Sequence, residues 1–219
     1  MTTPAWISLS TAITVVEALA VLAFALSGLV AAARKRLDAV GLSVVAGLTA
    51  FGGGTVRDVL LDRRPFFWVE HAAWLWALLA LTVLAITCMR ARHLSPTLRA
   101  TQWPDAIGMG LFTANGTLIA LGAGLPAIVA VLMGTITAVF GGVLRDIVCN
   151  EIPAAFSDHR PYALCAFAGG WALVAAHALQ APEWAALGVS VATATGLRAW
   201  AMVTGYTLPR WGGDRTEGD

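Results

Sequence analysis

Seven stretches of the chain alternate with short polar breaks, and each approaches the roughly 20 mostly apolar residues that a bilayer-spanning helix needs. They run from about Ile13 to Ala33, Val40 to Leu61, Ala72 to Met89, Asp105 to Leu121, Leu125 to Val148, Tyr162 to Leu179 and Trp184 to Val203. The connections at 34–39, 62–71, 90–104, 122–124, 150–161 and 180–183 are polar or rich in Pro and Gly. None is long enough to separate soluble domains. The pattern predicts an all-α membrane protein with seven transmembrane helices, one bundle over residues 1–205 and a polar tail over 206–219. No Lys or Arg precedes the first stretch, so it lacks the basic start of a signal peptide and is expected to stay as a helix.

The pattern also repeats. Displaced by 88 residues, the segment 17–71 matches 105–159 without a gap, at 14 of 55 positions. Ala and Leu coincide easily in such a chain. Phe24 with Phe112, Gly28 with Gly116, Gly53-Gly54 with Gly141-Gly142, Arg57-Asp58 with Arg145-Asp146, Pro65 with Pro153 and His71 with His159 do not. The two units, about 12–90 and 104–179, hold three predicted helices each. An odd number sends the second unit into the membrane from the opposite side, so the units are expected to be inverted repeats, which place a site near the midplane. The seventh helix, about 184–203, stands outside them.

Composition agrees with this picture. Hydrophobic residues make up 58% and charged residues 12% of 219, against about 25% charged in soluble domains; mean hydropathy is +0.74. A net charge of +1 offers no field to recruit nucleic acid. With the N-terminus outside, the inner segments carry Arg34, Lys35, Arg36, Arg90, Arg92, Arg99, Arg160, Arg210 and Arg215, and the outer ones only Arg63 and Arg64. This bias predicts N-out, C-in. Trp68, Trp103, Trp184 and Trp200 fall near predicted helix ends, as an aromatic belt would. Cys88, Cys149 and Cys165 lie in or at the end of apolar runs without ligand-like spacing and read as buried thiols. The chain holds no Gly-x-Ser-x-Gly, Walker loop, His-Glu-x-x-His or Cys-x-x-Cys, so no enzyme, metal or cofactor is expected.

Candidate chemistry sits at the repeated positions. Gly52, Gly53 and Gly54 lie mid-way along the second predicted helix, and Gly141 and Gly142 mid-way along the fifth. Adjacent glycines weaken a helix, and the expectation is a kink or unwound turn whose carbonyls could meet a cation; close helix packing is the other reading. Arg57, Asp58, Arg145 and Asp146 follow one turn on, where a charge costs about 2.5–3.5 kcal/mol. Adjacent residues do not face each other on a helix, so each Arg is expected to pair elsewhere, with an Asp of the other repeat or a freed carbonyl. The four could form a buried ion-pair network or a charged pathway lining. Glu17 and Asp105 come near helix starts, Asp105 in a first turn that suits a carboxylate. Ser27 and Asn115 are matched polar positions inside the first and fourth helices, and a buried amide at 115 needs partners. Arg198 is expected to snorkel to the inner surface, and His71 and His159 to sit at the surface.

With Gly-Gly-Gly-Thr-Val-Arg-Asp at 52–58 and Gly-Gly-Val-Leu-Arg-Asp at 141–146, the chain resembles, over about residues 12–204, the prokaryotic relatives of TRIC, the trimeric intracellular cation channels, sequences also described as glycine-transporter-like. The resemblance implies a homotrimer in a bacterial-type inner membrane, with a pore in each protomer conducting monovalent cations, chiefly potassium. It implies a path lined by helices two and five, kinked at Gly52–Gly54 and Gly141-Gly142, with Arg57, Asp58, Arg145 and Asp146 as its charged lining. The Lys-Glu-Val tripeptide of the animal channels is absent, so the resemblance does not extend to inositol-lipid regulation or a calcium-store role. Membrane lipid is an expected partner and nucleic acid is not. A secondary transporter for glycine or another small amino acid, or a membrane scaffold without transport, are the competing readings.

Overall fold

A computed structural model describes residues 9–90 and 98–209. Among the described residues the chain is helix throughout, with no strand. The seven apolar stretches become α1 (Leu9–Arg34), α2 (Ala39–Leu60), α4 (Ala73–Arg90), α5 (Leu98–Gly122), α6 (Ala127–Val148), α8 (Ala163–Ala178) and α9 (Glu183–Thr204). Two one-turn helices were not foreseen: α3 (Phe67–Glu70) and α7 (Ala154–Ser157), both inside predicted connections. Arg92, Arg210 and Arg215 of the charge count lie outside the described residues, as do the side chains of Cys88, Arg90 and Arg99.

Among the described residues, four helices are long and apolar enough to cross a membrane: Thr11–Arg34, Ala39–Leu60, Ala127–Val148 and Glu183–Thr204. The apolar helices Ala73–Thr87 and Ala163–Ala178 are shorter. One boundary differs by two turns from the expectation. α5 begins at Leu98 and continues through Pro104, so Asp105 is not in a first turn but well inside the helix.

The centre is built from α1, α2, α5 and α6, which pack against one another; α8 and α9 cover α5 and α6, and α4 lies on α1 and α2. Phe24 of α1 stacks on Phe112 of α5 with ring centroids 5.5 Å apart, and both rings are fully buried. The turns on either side of the centre repeat at a displacement of 88 residues. Leu61 N–H donates to the Arg57 carbonyl and Cys149 N–H to that of Arg145, each at 2.9 Å; Arg63 N–H reaches the Asp58 carbonyl and Glu151 N–H that of Asp146, each at 2.8 Å. Asp62 (φ 49°) and Asn150 (φ 55°) take the left-handed conformation that lets these bonds form; short polar Asp and Asn side chains tolerate it. After α1 and α5 the matched positions are Arg36 (φ 55°) and Gly124 (φ 76°). α2 starts where the Asp38 carboxylate accepts from Gly41 N–H at 2.7 Å, an N-cap that satisfies an otherwise free donor.

Candidate functional site

α2 and α6 remain helical across their glycines. The expected unwound turn is therefore absent, and the glycines act in packing instead. A methyl group added at Gly53 would strike the Thr137 carbonyl oxygen, and one added at Gly141 would strike that of Thr49. α1 and α5 close on the same threonines: a Cβ at Gly28 would lie 2.7 Å from Thr49 Oγ1, and one at Gly116 would lie 2.7 Å from Thr137 Oγ1. Without a Cβ, two helices can approach until backbone meets backbone while each keeps its own hydrogen-bond ladder. Breaking the ladder would strand polar groups, which an apolar medium penalises. Thr49 and Thr137 turn their hydroxyls back onto the Val45 and Met133 carbonyls, at 2.6 and 2.7 Å. Gly52 faces the Leu144 side chain, Gly54 the Phe67 ring, and Gly142 the Tyr162 hydroxyl and Asp105.

One turn beyond the crossing, each arginine gathers acidic partners. Arg57 donates from Nη1 to Glu17 Oε1 at 2.8 Å and from Nε to Asp58 Oδ1 at 2.9 Å. Arg145 donates from Nη1 to Asp105 Oδ1 and from Nε to Asp146 Oδ1, the latter at 2.8 Å. All six side chains are buried. Each arginine thus pairs with its own neighbour and with an acid on the preceding long helix of its own half, not with an Asp of the other half or a carbonyl freed at the glycines. The separation of adjacent residues on a helix holds for short side chains; a guanidinium on its long stem can curl back at the last turn. The second carboxylate oxygen of each Asp accepts from the first residue of the following one-turn helix: Asp58 Oδ2 from Phe67 N–H at 2.9 Å, and Asp146 Oδ2 from Ala154 N–H at 2.8 Å. Arg63, partly exposed, reaches Asp58 at 3.4 Å.

The halves differ around this common frame. Arg145 Nη1 also donates to Ser27 Oγ on α1 at 2.6 Å, while the Ser27 hydroxyl donates to the Thr101 carbonyl at 3.1 Å. Tyr162 donates to Asp105 Oδ2 at 2.6 Å. Arg198 of α9 does not snorkel. It is buried, bonds the Pro161 carbonyl at 3.1 Å and Asp158 at 3.4 Å, and lies over the Tyr162 ring with its Cζ 4.9 Å from the centroid. α9 is thereby tied to the Arg145 cluster through Tyr162. Sequence reasoning missed Tyr162: its counterpart 88 residues earlier is Trp74, so the repeat gave no signal. Asn115 is fully buried, and neither its Oδ1 nor its Nδ2 has a hydrogen-bond partner. His71 stacks on Trp74, its ring centroid 4.5 Å away, and is half-buried, whereas His159 is exposed. Cys149 and Cys165 are free and buried. Among the described residues no three His, Cys, Asp or Glu side chains gather to hold a metal ion.

The family known as glycine transporter matches this chain twice, at residues 14–90 and 102–178, one match on each half. The chain belongs to the glycine transporter family. Its relatives include the UPF0126 inner membrane protein YadS of Escherichia coli, 36% identical over 151 residues, which are 67% of this chain and 70% of that one. A UPF0126 membrane protein of Deinococcus radiodurans is 33% identical over 198 residues, 88% of this chain and 91% of that one. The match to a Vibrio cholerae relative, 36% identical over 152 residues, covers 67% of this chain but only 61% of that protein's length. Among solved structures, the TRIC trimeric intracellular cation channel orthologue of Rhodobacter sphaeroides superimposes with a TM-score of 0.83 at 35% identity, over 90% of this chain and all of that one. A second TRIC cation channel superimposes at 0.81 and 31% identity, over 92% of this chain and 98% of that one. The fold of this glycine transporter family member is therefore the TRIC fold, and its apolar helices are those of a membrane protein.

Proposed function

We propose that the chain is a potassium-permeable cation channel of a bacterial inner membrane, working as a homotrimer with one path in each protomer. The observation that carries this reading is the pair of buried Arg–Asp–acid clusters flanking a glycine crossing, in a chain that superimposes over 90% of its length on a cation channel. Buried charge costs free energy in a bilayer and marks ion paths. Asp58, Asp146, Glu17 and Asp105 would favour cations, and Arg57 and Arg145 would limit or gate them. Ser27 and Asn115 extend the polar lining on α1 and α5, and the close approach of Gly52 and Gly53 to Gly141 is the point at which α2 and α6 would shift against each other.

The architecture we infer has seven spans: two inverted repeats, α1–α4 and α5–α8, and a seventh helix, α9. The recurring helix-end hydrogen bonds and the double family match support it. The Lys/Arg bias orients the chain N-out, C-in.

Planar-bilayer recording on purified protein tests the function. Discrete potassium currents that shrink in Arg57 or Asp146 variants are expected. The family's name favours a second reading, a carrier for glycine. Silence in bilayers together with saturable glycine uptake into proteoliposomes would replace the channel with that carrier. If neither assay responds and charge-removing variants lose only stability, the chain is a scaffold.

A further inference from the structure

Arg145 holds groups from both halves at once: Asp105 on α5 and, at 2.6 Å, Ser27 on α1. Displaced by 88 residues, the partners of that second contact are Arg57 and Asn115. Arg57 repeats the rest of the pattern, with Nη1 on Glu17 and Nε on Asp58. Its Nη2 makes no hydrogen bond, although it lies 2.7 Å from Asp58 Oδ1, in ion-pair range but off the bonding direction. On the other side, Asn115 Oδ1 and Nδ2 are both without partners, and both residues are fully buried. Buried amides are bonded in the great majority of proteins. Two buried groups left open at positions that the other half joins point to one missing link.

The two groups share a neighbourhood. α2 packs on α5. Arg57 Cζ lies 5.3 Å from the Phe67 ring centroid, and the Phe112 ring lies 6.4 Å from the same centroid. Phe112 precedes Asn115 by three residues and so shares a face of α5 with it. We propose that Asn115 is the positioning partner of Arg57, the two joined through one buried water that accepts from Arg57 Nη2 and donates to Asn115 Oδ1. The link ties α2 to α5 across the halves, as Arg145 and Ser27 tie α6 to α1. Water suits the place because it needs two to four polar partners, and Arg57 Nη2 and both ends of the Asn115 amide are buried without a hydrogen bond. The inference rests on the inverted-repeat reading. What the link does is hold the guanidinium of Arg57 in one orientation in the path.

The full-length protein in detergent tests it by thermal melting, with N115L, N115S and R57K made singly and in pairs. R57K keeps the charge facing Glu17 but has no Nη2. N115L is expected to melt about 2–4 °C lower, the shift that losing one buried hydrogen bond produces in a chain of this size. N115S, which copies Ser27, is expected to restore most of that, and N115L is expected to cost little more once R57K is present. In bilayers N115L should change unitary conductance and N115S should not. Equal cost of N115L in the wild-type and R57K backgrounds, or N115S as harmful as N115L, would overturn the link. The melting cycle does not depend on transport, so a silent wild-type protein would end the channel reading while leaving this one decided on its own terms.

Discussion

Replacing Gly53 with alanine isolates what the crossing does. In an ordinary helix interior the change is favourable by about 1 kcal/mol, because alanine is the better helix former. Here the added methyl meets the carbonyl oxygen of Thr137, and the obstacle is backbone on a neighbouring helix, which no rotamer change can clear. Overpacking of this kind costs about 1–3 kcal/mol, and a rigid obstacle belongs at the upper end. The net expectation is a loss of about 2 kcal/mol, which for a chain of this size lowers Tm by about 4–8 °C. G141A, which meets the Thr49 carbonyl, should behave alike. The double variant should lose less than the sum, because one displacement of α2 from α6 relieves both clashes. Gly188 and Gly196 on α9 have nothing within 4 Å of an added Cβ, so G188A and G196A are the internal controls and should melt at or slightly above the wild type. Fluorescence-detected size exclusion after heating reads all of these. A G53A protein as stable as wild type would refute the packing account and return the glycines to the role of a flexible break.

Other changes follow from the same geometry. Glu17→Ala leaves Arg57 buried with some of its charge unmatched; a loss of about 3–5 kcal/mol is expected, seen as a collapse of folded yield, with E17Q less severe and E17A R57Q partly restored. Tyr162→Phe removes the hydroxyl on Asp105 and keeps the ring beneath Arg198, so a loss of about 1–3 kcal/mol is expected; no change in melting would mean that Asp105 is fully served by Arg145. Lys35 and Glu151 pair at 2.8 Å but are each about a third exposed, so K35A should cost under about 1 kcal/mol and less still in high salt; a larger loss in a denaturation series would show that the pair locks α1 to the end of α6.

Most of the helices were legible because an apolar run of spanning length has few other uses, and the connections could be read from their polarity. The start of α5 was not, since Thr101, Gln102 and Pro104 look like a connection, and it takes the packing of Ser27 against the Thr101 carbonyl to give that turn a place in the core. The charged residues could be found from the repeat, but not their partners. Whether a guanidinium reaches forward across the bundle or curls back onto its neighbour depends on which side chains surround it. The glycines were ambiguous for a related reason: a missing Cβ weakens a helix alone and joins two helices together, and only the facing Thr49 and Thr137 carbonyls decide which. Arg198 resembled a snorkelling side chain because the sequence does not reveal that the 158–162 turn folds over it.

The stack of Phe24 on Phe112 has a consequence for how such a chain can change. Each ring is packed against its own counterpart from the other half, so the space they fill is a sum shared by two positions 88 residues apart. A smaller residue at one opens a gap that only a larger residue at the other can close. F24L and F112W, each expected to be harmful alone, should therefore offset one another, and drift at either site is constrained by the residue that occupies its mirror position.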